Sequence, residues 1–178
     1  MSATTILIAG VGNIFLGDDA FGVEVALSLR RRQLPEGVTV KDFGIRGFDL
    51  AYALLDPWDA VVIVDALPRG DAPGTLYVME PDLAGLGSGA SAAINPHGMD
   101  PVKVLNLAAS MGTICAKVLV VGCEPQDFGD EVEGRMGLSA PVQAAVEEAS
   151  NLVEELAGRM FTTKQQQAVR LQTTEEVT

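Results

Sequence analysis

Short apolar segments alternate with amphipathic ones along most of the chain. The apolar segments are rich in valine, isoleucine and leucine and are five to nine residues long, a length typical of strands. Their positions are 5–9, 38–44, 59–67, 75–80 and 117–125. The amphipathic segments have apolar residues at roughly helical spacing and lie at 18–32, 48–55, 99–112 and 139–156. The pattern therefore predicts strands that alternate with helices.

Two of the predicted strands contain stretches that are apolar at every position, 61–64 and 118–121. Such strands are typical of a parallel sheet whose two faces are both covered by helices. The turn at 68–74 is too short for a crossover helix, so we expect residues 61–80 to form an antiparallel hairpin. We predict an α/β fold: a single-domain, three-layer sandwich with a central twisted sheet. The sheet should be mainly parallel, with about five strands and with helices on both faces.

The length of 178 residues suits one domain with a buried core. We assign residues 1–160 to this domain and expect a monomer. Residues 161–178 are polar and show no apolar face, so we expect a disordered tail there.

The composition argues against some classes of partner and favours one cellular compartment. The formal net charge is -12, and such a chain repels the phosphate backbone, which argues against nucleic acid. The apolar runs are too short to span a bilayer and the first residues carry no basic region, so we expect neither membrane insertion nor a signal peptide. Cys115 and Cys123 lack the spacing of a zinc or redox motif. Free thiols favour a reducing, cytoplasmic compartment.

A glycine-rich turn with Gly10 and Gly12 follows the first strand, and Asp18 and Asp19 follow the turn. A dinucleotide-binding turn would have a third glycine where this chain has Phe15, and the two acids would repel a pyrophosphate. The sequence therefore argues against a nucleotide site. Taken alone, Asp18 and Asp19 have an alternative explanation: acids are favourable at a helix start, where they interact with the helix dipole.

Two further residues are candidates for the same site. Asp65 ends the most apolar strand, and His97, the single histidine, lies between a proline and a glycine in the longest loop. Ligands of parallel sheets bind beyond the carboxyl ends of the strands, where Asp19, Asp65 and His97 are all expected. Two carboxylates and an imidazole suit a divalent first-row metal. The alternatives are a turn cap for Asp65 and a structural or surface role for His97.

The segments GVGNIFLGDDAFGVEVA, VVIVDAL and NPHGMD, together with the turn DFGIRGFDL, resemble the hydrogenase maturation endopeptidases. The resemblance extends from about Ile6 to Leu156. It implies a peptidase, aspartic-type by family assignment, that removes a C-terminal extension from the large-subunit precursor of a nickel–iron hydrogenase. It also implies that cleavage follows the delivery of nickel to this precursor.

The resemblance places the metal-contacting positions on Asp19, Asp65 and His97, with Asp18 as a rival for Asp19. The acid of the glycine-rich turn falls on Asp42, and we count all four matched residues as catalytic candidates. The nickel is expected to be carried by the substrate, although the same ligands would accept other divalent metals.

Two mechanisms are compatible with these residues. In one, a resident metal polarises the scissile carbonyl and activates water. In the other, which we prefer, the protein tests for nickel in the substrate and a nearby carboxylate acts as general base. The alternative function is a non-catalytic, nickel-dependent binding or chaperone module for the same precursor.

Overall fold

The structure is a computed structural model that describes residues 4–86, 100–130 and 132–175. The chain forms five strands and four helices within these ranges. The strands are β1 (Ile6–Val11), β2 (Val38–Gly44), β3 (Ala60–Ala66), β4 (Leu76–Met79) and β5 (Lys117–Cys123). The helices are α1 (Phe21–Leu29), α2 (Gly47–Ala53), α3 (Pro101–Met111) and α4 (Ala140–Glu175).

The five strands form one sheet in the order β2-β1-β3-β5-β4. The pairs β1–β2, β1–β3 and β3–β5 are parallel, and β4 is antiparallel to β5. This arrangement confirms the predicted α/β class with a mainly parallel sheet. The predicted hairpin is wrong in one respect, because β5 lies between β3 and β4. The short turn after β3 thus passes over the end of β5 to reach the sheet edge.

The hydrophobic core has two layers, one on each face of the sheet. Successive residues of a strand point to opposite faces, and β1 shows this directly. Ile6 and Ile8 pack in the cluster that includes residues of α1 and α4, whereas Leu7 and Ala9 pack in the cluster that includes residues of α2 and α3. Both faces of the central strands are therefore buried, which explains why these strands are apolar at every position.

The helix predicted from residue 18 begins later than expected. Residues Gly17–Ala20 form a single 3-10 turn, and α1 follows from Phe21. Asp18 and Asp19 therefore lie in a tight turn between β1 and α1. None of the helices in the described ranges is long and apolar enough to cross a membrane.

Helix α4 extends to Glu175, so its backbone includes most of the segment that we expected to be a disordered tail. The segment 162–175 contains no glycine or proline, and glutamine, lysine, arginine and glutamate are good helix formers, which explains the continuation. The apolar contacts of α4 reach Met160 and Phe161, which pack against the core. The boundary between a domain up to residue 160 and a tail stays a prediction.

Removal of residues 164–178 should leave the melting temperature within about 2 °C of the parent, because the removed segment is polar and the described contacts of α4 with the core, up to Phe161, precede the cut. Phe161→Ala in the full-length chain should lower the melting temperature by more than the truncation does, since Phe161 lies against Gly37 and the core. Differential scanning calorimetry of both proteins makes the comparison. A large loss of stability in the truncated chain would show that the polar segment belongs to the domain.

Candidate functional site

The carboxyl ends of β1, β2 and β3 lie side by side. Gly10 of β1 is in register with Asp42 of β2 on one side and with Val64 of β3 on the other. Asp42 and Asp65 therefore lie at the ends of the two strands that flank β1, and the turn after β1 carries Asp19. The structure thus places all three predicted acids at one edge of the sheet.

The glycines of the first motif are required by close packing of the chain against itself. A Cβ atom at Gly12, whose φ is +137°, would lie 1.7 Å from the carbonyl oxygen of Asp19. A Cβ atom at Gly22 would lie 2.0 Å from the carbonyl oxygen of Val64. Any other residue would push the turn and α1 away from β1 and β3. The glycines therefore hold the turn containing Asp19 close to the end of β3.

Asp19 is half-buried in this turn. Its Oδ2 atom accepts a hydrogen bond of 2.8 Å from the backbone N–H of Asn13. Burial raises the pKa of Asp19, and this hydrogen bond opposes the increase only in part. The carboxylate is thus oriented by the same loop that the glycines hold against the sheet.

Asp65 is almost completely buried at the end of β3, with 2% of its surface exposed. Its Oδ1 atom accepts a hydrogen bond of 2.8 Å from the N–H of Ala66. Burial raises the pKa of Asp65 well above its ordinary value, and the negative charges of Asp19 and Asp100 raise it further. Asp19 and Asp65 are therefore close enough to repel each other.

Asp100 is a member of this acidic cluster that the sequence analysis missed. It is the N-cap of α3, where its Oδ1 atom accepts a hydrogen bond of 2.9 Å from the N–H of Val102. Its charge acts on Asp65. An acid directly before a proline is typical of a helix start, so the sequence indicated that Asp100 caps α3. Only the fold shows that α3 begins beside β3.

Asp18 has a different role from its neighbour. Its side chain is fully buried and accepts four hydrogen bonds of 2.6–3.0 Å, which come from the N–H groups of Gln126, Asp127 and Ser139 and from the Ser139 hydroxyl. Burial raises the pKa of Asp18, but these hydrogen bonds outweigh it and the pKa is lowered. Asp18 ties the β1–α1 turn to the loop between β5 and α4. Its oxygens are occupied, which supports Asp19 as the candidate ligand.

Asp42 orients the turn between β2 and α2. Its Oδ1 atom accepts a hydrogen bond of 2.8 Å from the N–H of Gly44, whose carbonyl oxygen accepts one of 3.0 Å from Gly12 N–H. Asp42 also lines a cavity of about 710 Å³ at the outer side of β2, which Asp19 and Asp65 do not line. Asp42 is therefore held next to the β1–α1 turn but faces a more open space.

His97 lies outside the described residues. Across the parts of the chain that are described, no three histidine, cysteine, aspartate or glutamate side chains are grouped so that they could hold a metal. The metal site of Asp19, Asp65 and His97 therefore stays a prediction. The chemistry of the donors fits a cation, because a buried carboxylate whose charged neighbours are acids is stabilised by a positive charge.

A parallel sheet with acids at its carboxyl edge defines an α/β protein whose expected ligand site lies beyond β1 and β3. The family model described as hydrogenase maturation protease matches residues 23–156. The hydrogenase expression/formation protein HoxM of Azotobacter vinelandii is 35% identical over 153 residues, covering 84% of this chain and 70% of that protein. The hydrogenase 2 maturation protease of Escherichia coli (strain K12) is 32% identical over 147 residues, covering 81% of this chain and 85% of that protein.

Solved structures agree with the sequence comparisons. The crystal structure of a hydrogenase 2 maturation peptidase from a Thaumarchaeota archaeon superimposes with a TM-score of 0.66 and 32% identity, covering 87% of this chain and 99% of that one. The chain belongs to the hydrogenase maturation protease family. The resemblance inferred from the glycine turn and the acidic motifs is confirmed.

Asp18→Asn should destabilise the protein by about 3 kcal/mol at pH 7. The NH₂ group of the amide would face at least one backbone N–H that now donates to Asp18, and this N–H would be left without an acceptor. The pKa of Asp18 is lowered in the folded state, so its stabilisation is present above the ordinary value of 3.8 and is lost as the pH falls through the lowered pKa. Urea unfolding at several pH values makes the measurement, with the exposed Asp56→Asn as control. Equal stability of the two variants would contradict the structural role of Asp18.

Asp65→Asn should have the opposite effect and raise the free energy of unfolding by about 1–2 kcal/mol at pH 8 in the presence of a chelator. The pKa of Asp65 is raised in the folded state, so ionisation costs stability. The ionisation cost is absent below pH 3.8, the ordinary pKa of aspartate. It grows as the pH rises towards the raised pKa of Asp65 and is constant above that pKa. Unfolding curves across this pH range should show the variant's advantage disappearing in acid. A variant that is less stable at pH 8 would overturn this account.

Proposed function

We propose that this protein is an endopeptidase that removes a C-terminal extension from the nickel-loaded precursor of a nickel–iron hydrogenase large subunit. The observation that carries the proposal is the cluster of acids around the buried Asp65, at the carboxyl edge of a maturation-protease fold. Relatives named hydrogenase 2 maturation protease support the class of substrate. Nickel enters as part of the substrate, whose bound cation identifies a precursor ready for cleavage.

The buried acids supply the recognition step. Asp65 and Asp19 both have raised pKa values, which reflects the cost of holding negative charge at this position. A nickel ion brought by the substrate offsets that cost, whereas a nickel-free precursor does not. We propose that Asp19, Asp65 and His97 contact this nickel. The energy gained by neutralising the cluster then favours the loaded precursor.

Asp42 is proposed as the general base. Its carboxylate is oriented by Gly44 N–H and lies at the end of the strand next to β1. In the proposed reaction Asp42 takes a proton from water, the water oxygen attacks the scissile carbonyl carbon, and the carbon–nitrogen bond breaks. The proton passes to the leaving amine, so the products are a carboxylate on the mature chain and a released peptide.

The test is mass spectrometry of purified, nickel-loaded precursor before and after incubation with the protein. The parent should release a peptide from the C-terminus of the precursor, whereas Asp42→Asn, Asp65→Asn and His97→Gln should reduce the rate at least about 100-fold. Glu148→Gln is the matched control, because this exposed acid lies on α4 and does not line the cavity that Asp42 lines.

The variants separate the two proposed roles. Asp42→Asn should still bind nickel-loaded precursor, because only the proton transfer is lost, whereas Asp65→Asn and His97→Gln should bind it weakly. A parent protein that binds the precursor without cutting it would instead indicate a nickel-dependent binding or chaperone module. A well-folded His97→Gln variant with the parent rate would falsify the proposed site.

A further inference from the structure

Three segments around the acidic edge expose large apolar side chains. The loop after β1, the start of α2 and the loop between β5 and α4 carry six of them, with exposed fractions from 40% to 94%. We call this set the edge band; its members are Ile14, Phe15, Ile45, Phe48, Val132 and Met136.

The three segments are joined through their backbones. Gly12 N–H donates a hydrogen bond of 3.0 Å to the carbonyl oxygen of Gly44, which joins the first loop to the start of α2. Arg135 N–H donates to the carbonyl oxygen of Phe15, and Gly17 N–H donates to that of Arg135, each at 2.7 Å. The three segments that carry the edge band are therefore linked to one another at the carboxyl ends of β2 and β1.

The segments that carry the edge band are held in place by polar contacts of residues outside the band. Asp18 ties the turn after the first loop to the β5–α4 loop, and Arg135 makes an ion pair of 2.6 Å with Asp127 inside that loop. The apolar side chains thus stand on a preformed support. Exposing these side chains to water is unfavourable, and several large exposed apolar side chains on linked neighbouring segments are typical of an interaction site.

The edge band also borders the acids directly. Asn13, whose N–H donates to Asp19 Oδ2, lies between Gly12 and Ile14 in the first loop. A polypeptide that approaches Asp19 from the side of this loop would therefore contact Ile14 and its neighbours. The six side chains of the edge band are uncharged, so the band itself gives no electrostatic preference for a particular polypeptide.

We propose that the edge band is the docking surface for the precursor and that it contacts an apolar surface of the precursor around the scissile bond. This inference rests on the function proposed above and extends it. The acids identify the nickel, and the edge band provides the contact area that holds the precursor while the bond is cut. Because this contact is apolar, it should weaken little with added salt.

The experiment compares steady-state cleavage of nickel-loaded precursor by Phe15→Ser, Phe48→Ser and Met136→Ser with the parent. Each should raise KM about 10-fold with kcat changed by less than about 2-fold, because the contact is lost and the acids are intact. Val78→Ser and Met111→Ser are the controls, since both residues are exposed apolar side chains outside the band, on β4 and at the end of α3. Their KM values should equal that of the parent, and melting temperatures establish that each variant folds.

The possible outcomes test the docking surface and the proposed function separately. Cleavage with an unchanged KM in all three band variants would overturn the docking surface and leave the proposed function intact. If the parent does not cut the precursor, the proposed function fails, and the band is then judged by sedimentation of the mixture: band variants must bind the precursor at least about 10-fold more weakly than the controls. Sedimentation of the protein alone as a dimer that Phe15→Ser dissociates would assign the band to a second copy of the chain and overturn the proposal.

Discussion

The arrangement of this protein depends on one unfavourable element, a carboxylate buried at the end of an apolar strand. Asp65 is 2% exposed and is flanked by other acids, so its ionised form is disfavoured wherever no cation is near. A fold selected for stability alone would place an amide or an apolar residue there. The function proposed here requires the acid, because an ionised carboxylate gains more energy from a metal cation in the substrate than an amide or an apolar side chain would.

The rest of the edge serves to bring other groups close to Asp65. Gly12 and Gly22 permit backbone approaches that a Cβ atom would prevent, and these approaches place the Asp19 turn against β1 and β3. Asp18 then holds this turn through hydrogen bonds to the β5–α4 loop. Stabilising contacts around Asp18 thus accompany the repulsive ones around Asp65. Burial raises the pKa of both aspartates, but hydrogen bonds outweigh it at Asp18 and oppose it only in part at Asp19, so the two adjacent groups have opposite pKa shifts.

Sequence patterns predicted the fold and the edge at which the acids meet, since apolar strands and parallel topology together determine where strand ends lie. They did not separate Asp18 from Asp19, because the partners that distinguish them are more than one hundred residues away in the chain. Asp100 and the position of β4 beyond β5 were missed because they too depend on residues that are distant in the chain, Asp65 for Asp100 and β5 for β4. The helical backbone after residue 161 was missed because we judged that segment by its lack of an apolar face and not by its helix propensity.

The most direct measurement of the central claim is the affinity of the non-cleaving Asp42→Asn variant for nickel-loaded and for nickel-free precursor. A cation close to a buried carboxylate is worth several kcal/mol, so the account predicts at least about 10-fold tighter binding of the loaded form. Adding Asp65→Asn to this variant should abolish the difference. Equal affinities for the two precursors, or a nickel preference that survives the loss of the Asp65 charge, would contradict the claim that the buried acids recognise the metal.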